Sequence, residues 1–153
     1  MCTIGAVIQG GMIYTFKQCD LIPVTEFDEP EIRQGTDGVE QYIVMGRAPG
    51  TSRIWAATNS AGVSFVAADS YTTSAYYVPD DAVAALFEAY EASVRGSTTV
   101  MDAANYLSNF YLTMGSANQA FPGPDISMFT GWMDAARTQP AIVFIEYMPG
   151  PNN

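Results

Sequence analysis

Cys2 is the residue of this chain best suited to covalent chemistry, because of its type and its place directly after Met1. Removal of the initiator methionine, which a small second residue favours, would leave Cys2 with a thiol and a free α-amine. The chain contains no histidine, so a Cys–His pair cannot be built within it. An α-amine titrates near pH ~8 and a free thiol near ~8.5, so the amine can accept the thiol proton. Cys2 could therefore act as both nucleophile and base; the alternative is a small apolar residue entering a strand.

A β-hairpin is expected to position Cys2. Residues 2–8 and 12–17 are mostly apolar or β-branched and predict two strands, joined at Gln9-Gly10-Gly11, where glycine permits the positive φ of a tight turn. In such a hairpin the end of the second strand lies opposite the start of the first. We therefore expect Lys17 and Asp20 to lie near Cys2.

The remaining chain predicts an α+β fold of stacked layers. Residues 40–46, 52–58 and 63–69 are strand-like, and residues 22–38, with two prolines and five acids, predict an exposed loop. Asp80 or Asp81 is expected to cap a helix ending near Gly96, and Thr98 or Thr99 to cap a second one. Residues 125–137 predict a short helix around Trp132, and the apolar run at 140–147 predicts a buried central strand with neighbours on both sides.

Composition limits the possible partners. The chain has 153 residues, 48% of them hydrophobic, which favours one domain with its own core. Its formal net charge of −10 disfavours binding to nucleic acid or anionic membranes. No apolar stretch is long enough to span a bilayer and no secretory signal is evident, so a cytoplasmic protein is expected. Two cysteines make a poor disulfide framework, and without histidine we expect no metal site and no cofactor.

The start of the chain resembles a known family. Met1-Cys2-Thr3, the glycine turn and Phe16-Lys17-Gln18-Cys19-Asp20-Leu21 are similar to N-terminal cysteine Ntn hydrolases of the choloylglycine hydrolase and penicillin V acylase type. They are also similar to the acyl-coenzyme A:6-aminopenicillanic acid acyltransferases. These families open with Cys-Thr, followed by a basic-x-x-Asp element. Asn59-Ser60-Ala61-Gly62-Val63 resembles their Asn-Glu-x-Gly-Leu turn, and the helices, residues 115–118 and residues 143–146 follow in the family's order.

The resemblance implies an αββα sandwich that cleaves or exchanges a linear amide of a small-molecule acyl compound. Cys2 would be the nucleophile, Asp20 the carboxylate that orients its amine, and Lys17 a group near the polar end of the substrate. The backbone N–H of Asp69 would contribute to the oxyanion hole, although many relatives have Asn or Tyr there. Tyr71 could line the acyl pocket, but aromatic residues after a strand more often serve packing. Asn59 is assigned mainly to turn structure.

This chain also departs from the family. Members usually have a second half that supplies an Asn side chain to the oxyanion hole and a further arginine, so residues 1–153 would be a single Ntn-hydrolase-like domain lacking that half. A homo-oligomer or a second chain could complete the sheets. Two alternatives to an amidohydrolase or acyltransferase therefore stay open. One is a non-catalytic binding or assembly subunit, and the other is a glutamine amidotransferase domain, whose usual Cys-Gly-Ile start is not matched.

Overall fold

In the part of the chain that the structure describes, the fold has three layers: two helices, a six-stranded sheet and a two-stranded hairpin. The computed structural model describes residues 2–18, 27–47, 49–50, 53–69, 80–116 and 125–147. Both sheets are antiparallel throughout, and the larger one has the strand order β3-β4-β5-β6-β7-β8. The α+β class expected from the sequence is confirmed. The elements are β1 Thr3–Gln9, β2 Met12–Gln18, β3 Glu31–Gln34, β4 Gln41–Met45, β5 Ala56–Asn59, β6 Ser64–Asp69, α1 Asp80–Arg95, α2 Val100–Ser116, β7 Asp125–Trp132 and β8 Pro140–Tyr147.

The hairpin forms as its glycines predict. Gly10 and Gly11 have φ values of 59° and 76°, a conformation that L-residues with a Cβ rarely adopt and that matches a two-residue hairpin turn. The register pairs Gln9 with Met12 next to the turn and Thr3 with Gln18 at the open end. The start of β1 therefore lies beside the end of β2, as expected.

The core lies between the helices and one face of the six-stranded sheet. α1 packs against β4, β5 and β6, and α2 packs against β7 and β8. The ring of Phe65 lies 5.2 Å from that of Phe129 and 4.7 Å from that of Tyr90 in α1, centroid to centroid, and all three residues are fully buried. α2 begins after Thr99, whose hydroxyl accepts a 3.1 Å bond from the Asp102 backbone N–H, so Thr99 is the cap.

The hairpin packs on the opposite face of the sheet, over β6 and β7. β6 and β7 are thus covered on both sides, by helices and by the hairpin. Consecutive residues of β6 and β7 are accordingly buried, including Phe65 to Ala68 and Ser127 to Thr130.

Three expectations about the chain's order are wrong, each for a physical reason. Within the expected loop at 22–38, residues 31–34 form strand β3, and its charged Glu31 and Arg33 pair with each other. The expected helix at 125–137 begins as strand β7, because contacts on both of its faces remove the alternation that marks a strand. The run at 140–147 is an edge strand: β8 pairs only with β7 among the described strands, and Phe144 is 60% exposed.

Neither described helix combines the length and the apolarity needed to cross a lipid bilayer.

Candidate functional site

Cys2 lies directly before β1, is half-buried and carries a free thiol. Ile4 pairs with Lys17 across the hairpin, so these two side chains share one face. Strand side chains alternate with a period of two, which places Cys2 on the face of Ile4, about 7 Å further along the strand. This is the face that packs on the large sheet, since Ile13, Thr15 and Lys17 are the less exposed residues of β2.

Two polar contacts attach this face of the hairpin to the sheet. The Lys17 ammonium donates a hydrogen bond to the backbone carbonyl of Ala67 in β6. The hydroxyls of Thr15 and Thr130, the latter in β7, lie 2.6 Å apart. The hairpin is therefore held over β6 and β7 at two points of β2. An ammonium has three donors, so Lys17 can bind Ala67 and also donate to another oxygen.

The structure brings part of the expected site together. Asp69 is the last residue of β6, two positions beyond Ala67, and its Cα partner is Asp125 at the start of β7. The backbone of Asp69 thus lies at the end of the sheet toward which β2 directs Lys17. Only the backbone of Asp69 is described, and Asp20 and Tyr71 lie outside the described residues.

A cavity of about 510 Å³ lies beside the hairpin, over β4, β5 and β6. Residues Ile13, Thr15 and Lys17 of β2 form one wall, and most of the remaining lining is apolar. The exceptions are the hydroxyls of Thr58 and Ser64, 2.8 Å apart on the floor. The other lining residues are Phe27, Met45, Gly46, Ala56, Ala57, Phe65 and Val66.

The cavity has the character of a small-molecule site: an apolar surface with a few polar groups and one cation. Sequence reasoning identified Lys17 but missed the hydroxyls. Alternation along β2 could have found Thr15, which is two residues from Lys17 and so shares its face. Thr58 and Ser64 gave no such signal, because their common position depends on the pairing of β5 with β6.

A buried polar cluster on the helix side of the sheet was also missed. Glu91 of α1, only 6% exposed, accepts hydrogen bonds from Arg33 at 2.7 Å and from the Tyr42 hydroxyl at 2.5 Å. Burial and the bond to Glu91 raise the pKa of Tyr42 to about 12. A bond from Arg33 lowers the pKa of Glu31. This cluster is separated from the cavity by the sheet, and it connects β3 and β4 to α1.

Asn59 has the structural role expected for it. Its side-chain N–H₂ donates to the carbonyls of Val94 at 2.7 Å and Ser97 at 2.8 Å, and its carbonyl accepts the Val63 N–H at 2.9 Å. The buried amide thus ties the β5–β6 turn to the end of α1. In the Asn-x-x-Gly segment at 59–62, the Asn side chain therefore has a structural role.

Among the described residues, no group of three or more Cys, Asp or Glu side chains is arranged to hold a metal ion. Neither the known protein-family models, nor the curated proteins, nor the solved structures include a match to this chain.

Proposed function

We propose that this protein is an N-terminal cysteine amidohydrolase or acyltransferase acting on linear amides, with Cys2 as nucleophile and its own α-amine as base. The observation that carries the proposal is the position of Cys2. It directly precedes β1, on the hairpin face that packs on the large sheet, two residues before Ile4. Ile4 pairs with Lys17, and Lys17 lines the apolar cavity. The stacked sheets are compatible with an αββα arrangement, which is part of the same proposal.

The chemistry needs only groups of one residue for its proton transfers. The α-amine takes the proton from Sγ, and the thiolate forms a C–S bond to the amide carbon while the carbonyl electron pair moves to oxygen. When the intermediate collapses, the C–N bond breaks and the leaving nitrogen takes the proton from the ammonium. Water or a second amine then attacks the thioester, which releases an acid or a new amide and restores the thiol.

Lys17 and Asp69 have supporting roles in this proposal. An oxyanion needs donors about 2.7–3.1 Å away, and losing one typically lowers the rate about 100- to 1000-fold. The Asp69 backbone N–H is the proposed donor, since β6 ends there. Lys17 would donate to a polar group of the substrate whose acyl part occupies the cavity that Lys17 lines. Asp20 is retained as the carboxylate that orients the amine.

The experiment combines intact mass with acylation by a 4-nitrophenyl acyl ester. We expect a mature protein without Met1, a burst of one nitrophenolate per chain, and an acyl group mapped to Cys2. Cys19→Ala should keep the burst and Cys2→Ala should lose it, which makes the second cysteine a matched control. Retention of Met1, or a label of equal yield on Cys19, would refute the proposal.

The alternative is a non-catalytic assembly subunit, and one observation favours it. Ile32 of β3, on the sheet face that carries the hairpin, is 67% exposed. A second chain could cover that part of the face. This alternative predicts a stable complex by native mass spectrometry, with the same partner and the same ligand affinity in Cys2→Ala.

A further inference from the structure

The side of the hairpin that faces away from the large sheet is apolar, and no described element of the chain packs on it. We call it the outer hairpin face. Cross-strand pairing and the period of two place alternate residues of both strands on it. Its members are Thr3, Gly5, Val7, Gln9, Met12, Tyr14, Phe16 and Gln18.

The exposed area of this face is large for a hairpin. Val7 is 49% exposed, Met12 58%, Tyr14 56% and Phe16 51%. A standard interface takes about 800 Å² from each partner, so these four half-exposed side chains and the polar residues around them suit a small interface. Contiguous exposed apolar surface of this extent is typical of interaction sites.

On the outer hairpin face an aromatic ring lies over a glycine. Gly5 pairs with Phe16, and a Cβ built on Gly5 would lie 2.3 Å from the ring carbon Cζ of Phe16. The ring therefore occupies the space that a side chain at position 5 would fill. An antiparallel ribbon with an apolar face can pack face to face with an identical ribbon, at the ~10 Å spacing of stacked sheets.

The distribution of charge along the chain is compatible with a second copy as the partner. The chain has a net charge of −10, but residues 2–18 contain no Asp or Glu. Their one charged residue, Lys17, is on the inner face and donates to Ala67. Two copies can therefore meet at the outer hairpin face without placing carboxylates of residues 2–18 against each other. Their net charges repel each other at long range, as each would repel an anionic membrane or a nucleic acid, but the contact itself buries no acidic pair.

We propose that the outer hairpin face binds the same face of a second copy of this chain, forming a twofold symmetric dimer. In such an interface each residue contacts the partner's surface in a reciprocal way. The interface would be mainly apolar and independent of Cys2. Because both copies are acidic, salt that screens their repulsion should strengthen it.

The test is sedimentation velocity of the full chain between about 2 and 200 μM, compared with variants of equal charge. We expect a concentration-dependent dimer with an affinity typical of a small apolar interface. Tyr14→Glu and Val7→Glu should each raise the dissociation constant at least tenfold, because they bury a like charge at the interface. Leu112→Glu is the matched control: Leu112 is 72% exposed on α2, and its variant should dimerise like the wild type.

Two further measurements sharpen the test. Gly5→Ala should weaken the dimer several-fold, because it displaces the Phe16 ring, and Cys2→Ala should leave the dissociation constant unchanged. Circular dichroism and the melting temperature verify that each variant is folded. A wild type that stays monomeric at 200 μM would overturn the proposal, whether the face is bare or covered by another part of the same chain. A dimer that Leu112→Glu disrupts as strongly as Tyr14→Glu would overturn it as well.

Discussion

Replacing Thr15 by valine should destabilise the fold by about 1–2 kcal/mol, because it leaves the Thr130 hydroxyl buried without its partner. Thr130 is 1% exposed and its oxygen lies 2.6 Å from that of Thr15. Valine has nearly the same shape as threonine, so the loss is mainly that of the hydrogen bond. Thr130→Val should lower the stability by a similar or somewhat smaller amount, because water can bind the hydroxyl of the half-buried Thr15.

The double variant Thr15→Val/Thr130→Val should be close to the wild type in stability. Replacing both partners of a buried hydrogen bond by apolar groups leaves no unsatisfied group, so the double variant shows neither single loss and the coupling free energy should be about 2–4 kcal/mol in magnitude. In a domain of this size each kcal/mol corresponds to about 2–4 °C in melting temperature. The singles should therefore melt about 2–8 °C below the wild type, and the double should recover most of that loss.

The assay is equilibrium unfolding in urea, followed by tryptophan fluorescence and circular dichroism, for the four proteins of the cycle. Thr3→Val is the control, because Thr3 is exposed on the outer hairpin face and its variant should stay within about 0.5 kcal/mol. Simple addition of the two single effects in the double variant would refute the argument. It would mean that the two hydroxyls do not hold the hairpin, and with it Cys2, on the sheet.

Two predictions concern the helix side of the sheet. Asn59→Ala should lower the free energy of unfolding by about 3 kcal/mol, because three buried backbone groups lose a partner at about 1 kcal/mol each. Urea unfolding measures this loss, with Asn105→Ala at an exposed position as the control. A loss below about 1 kcal/mol, or an equal loss in the control, would contradict the prediction. Burial and the bond to Glu91 raise the pKa of Tyr42 to about 12 from an ordinary 10, so the folded state holds this proton more tightly than the unfolded state. Stability should then fall as pH rises from about 10 to about 12, and Tyr42→Phe should show a smaller fall by the same measurement; an identical pH profile in the two proteins would contradict this.

Local signals in the sequence were sufficient where a segment folds largely by its own residues. The two glycines predict the hairpin turn, and the apolar spacing predicts α1 and α2, with Thr98 or Thr99 as the cap of α2; the structure selects Thr99. The hairpin register then places Lys17 near the start of β1. These features depend on backbone preference and short-range pairing, which one sequence displays.

Elements that depend on distant partners were not predictable in the same way. The charged residues of β3 predict a loop from the sequence alone. In the folded chain Arg33 donates a hydrogen bond to Glu91 of α1, 58 residues away. β7 lost its alternation because distant elements cover both of its faces. The hydroxyls of Thr58 and Ser64 join the cavity only through the pairing of β5 with β6. The placement of Cys2 before β1 is thus accessible to sequence reasoning, whereas the cavity that Lys17 lines depends on tertiary structure.

The double covering of β6 and β7 has a consequence for how this protein can vary. In β8 the solvent-exposed positions Phe144 and Glu146 can accept many replacements at little cost. All residues from Phe65 to Ala68 and from Ser127 to Thr130 are buried. A larger or smaller side chain therefore disturbs a packed layer whichever face of the strand it lies on. Sequence drift in this protein should therefore concentrate at exposed positions such as those of β8 and leave β6 and β7 nearly constant.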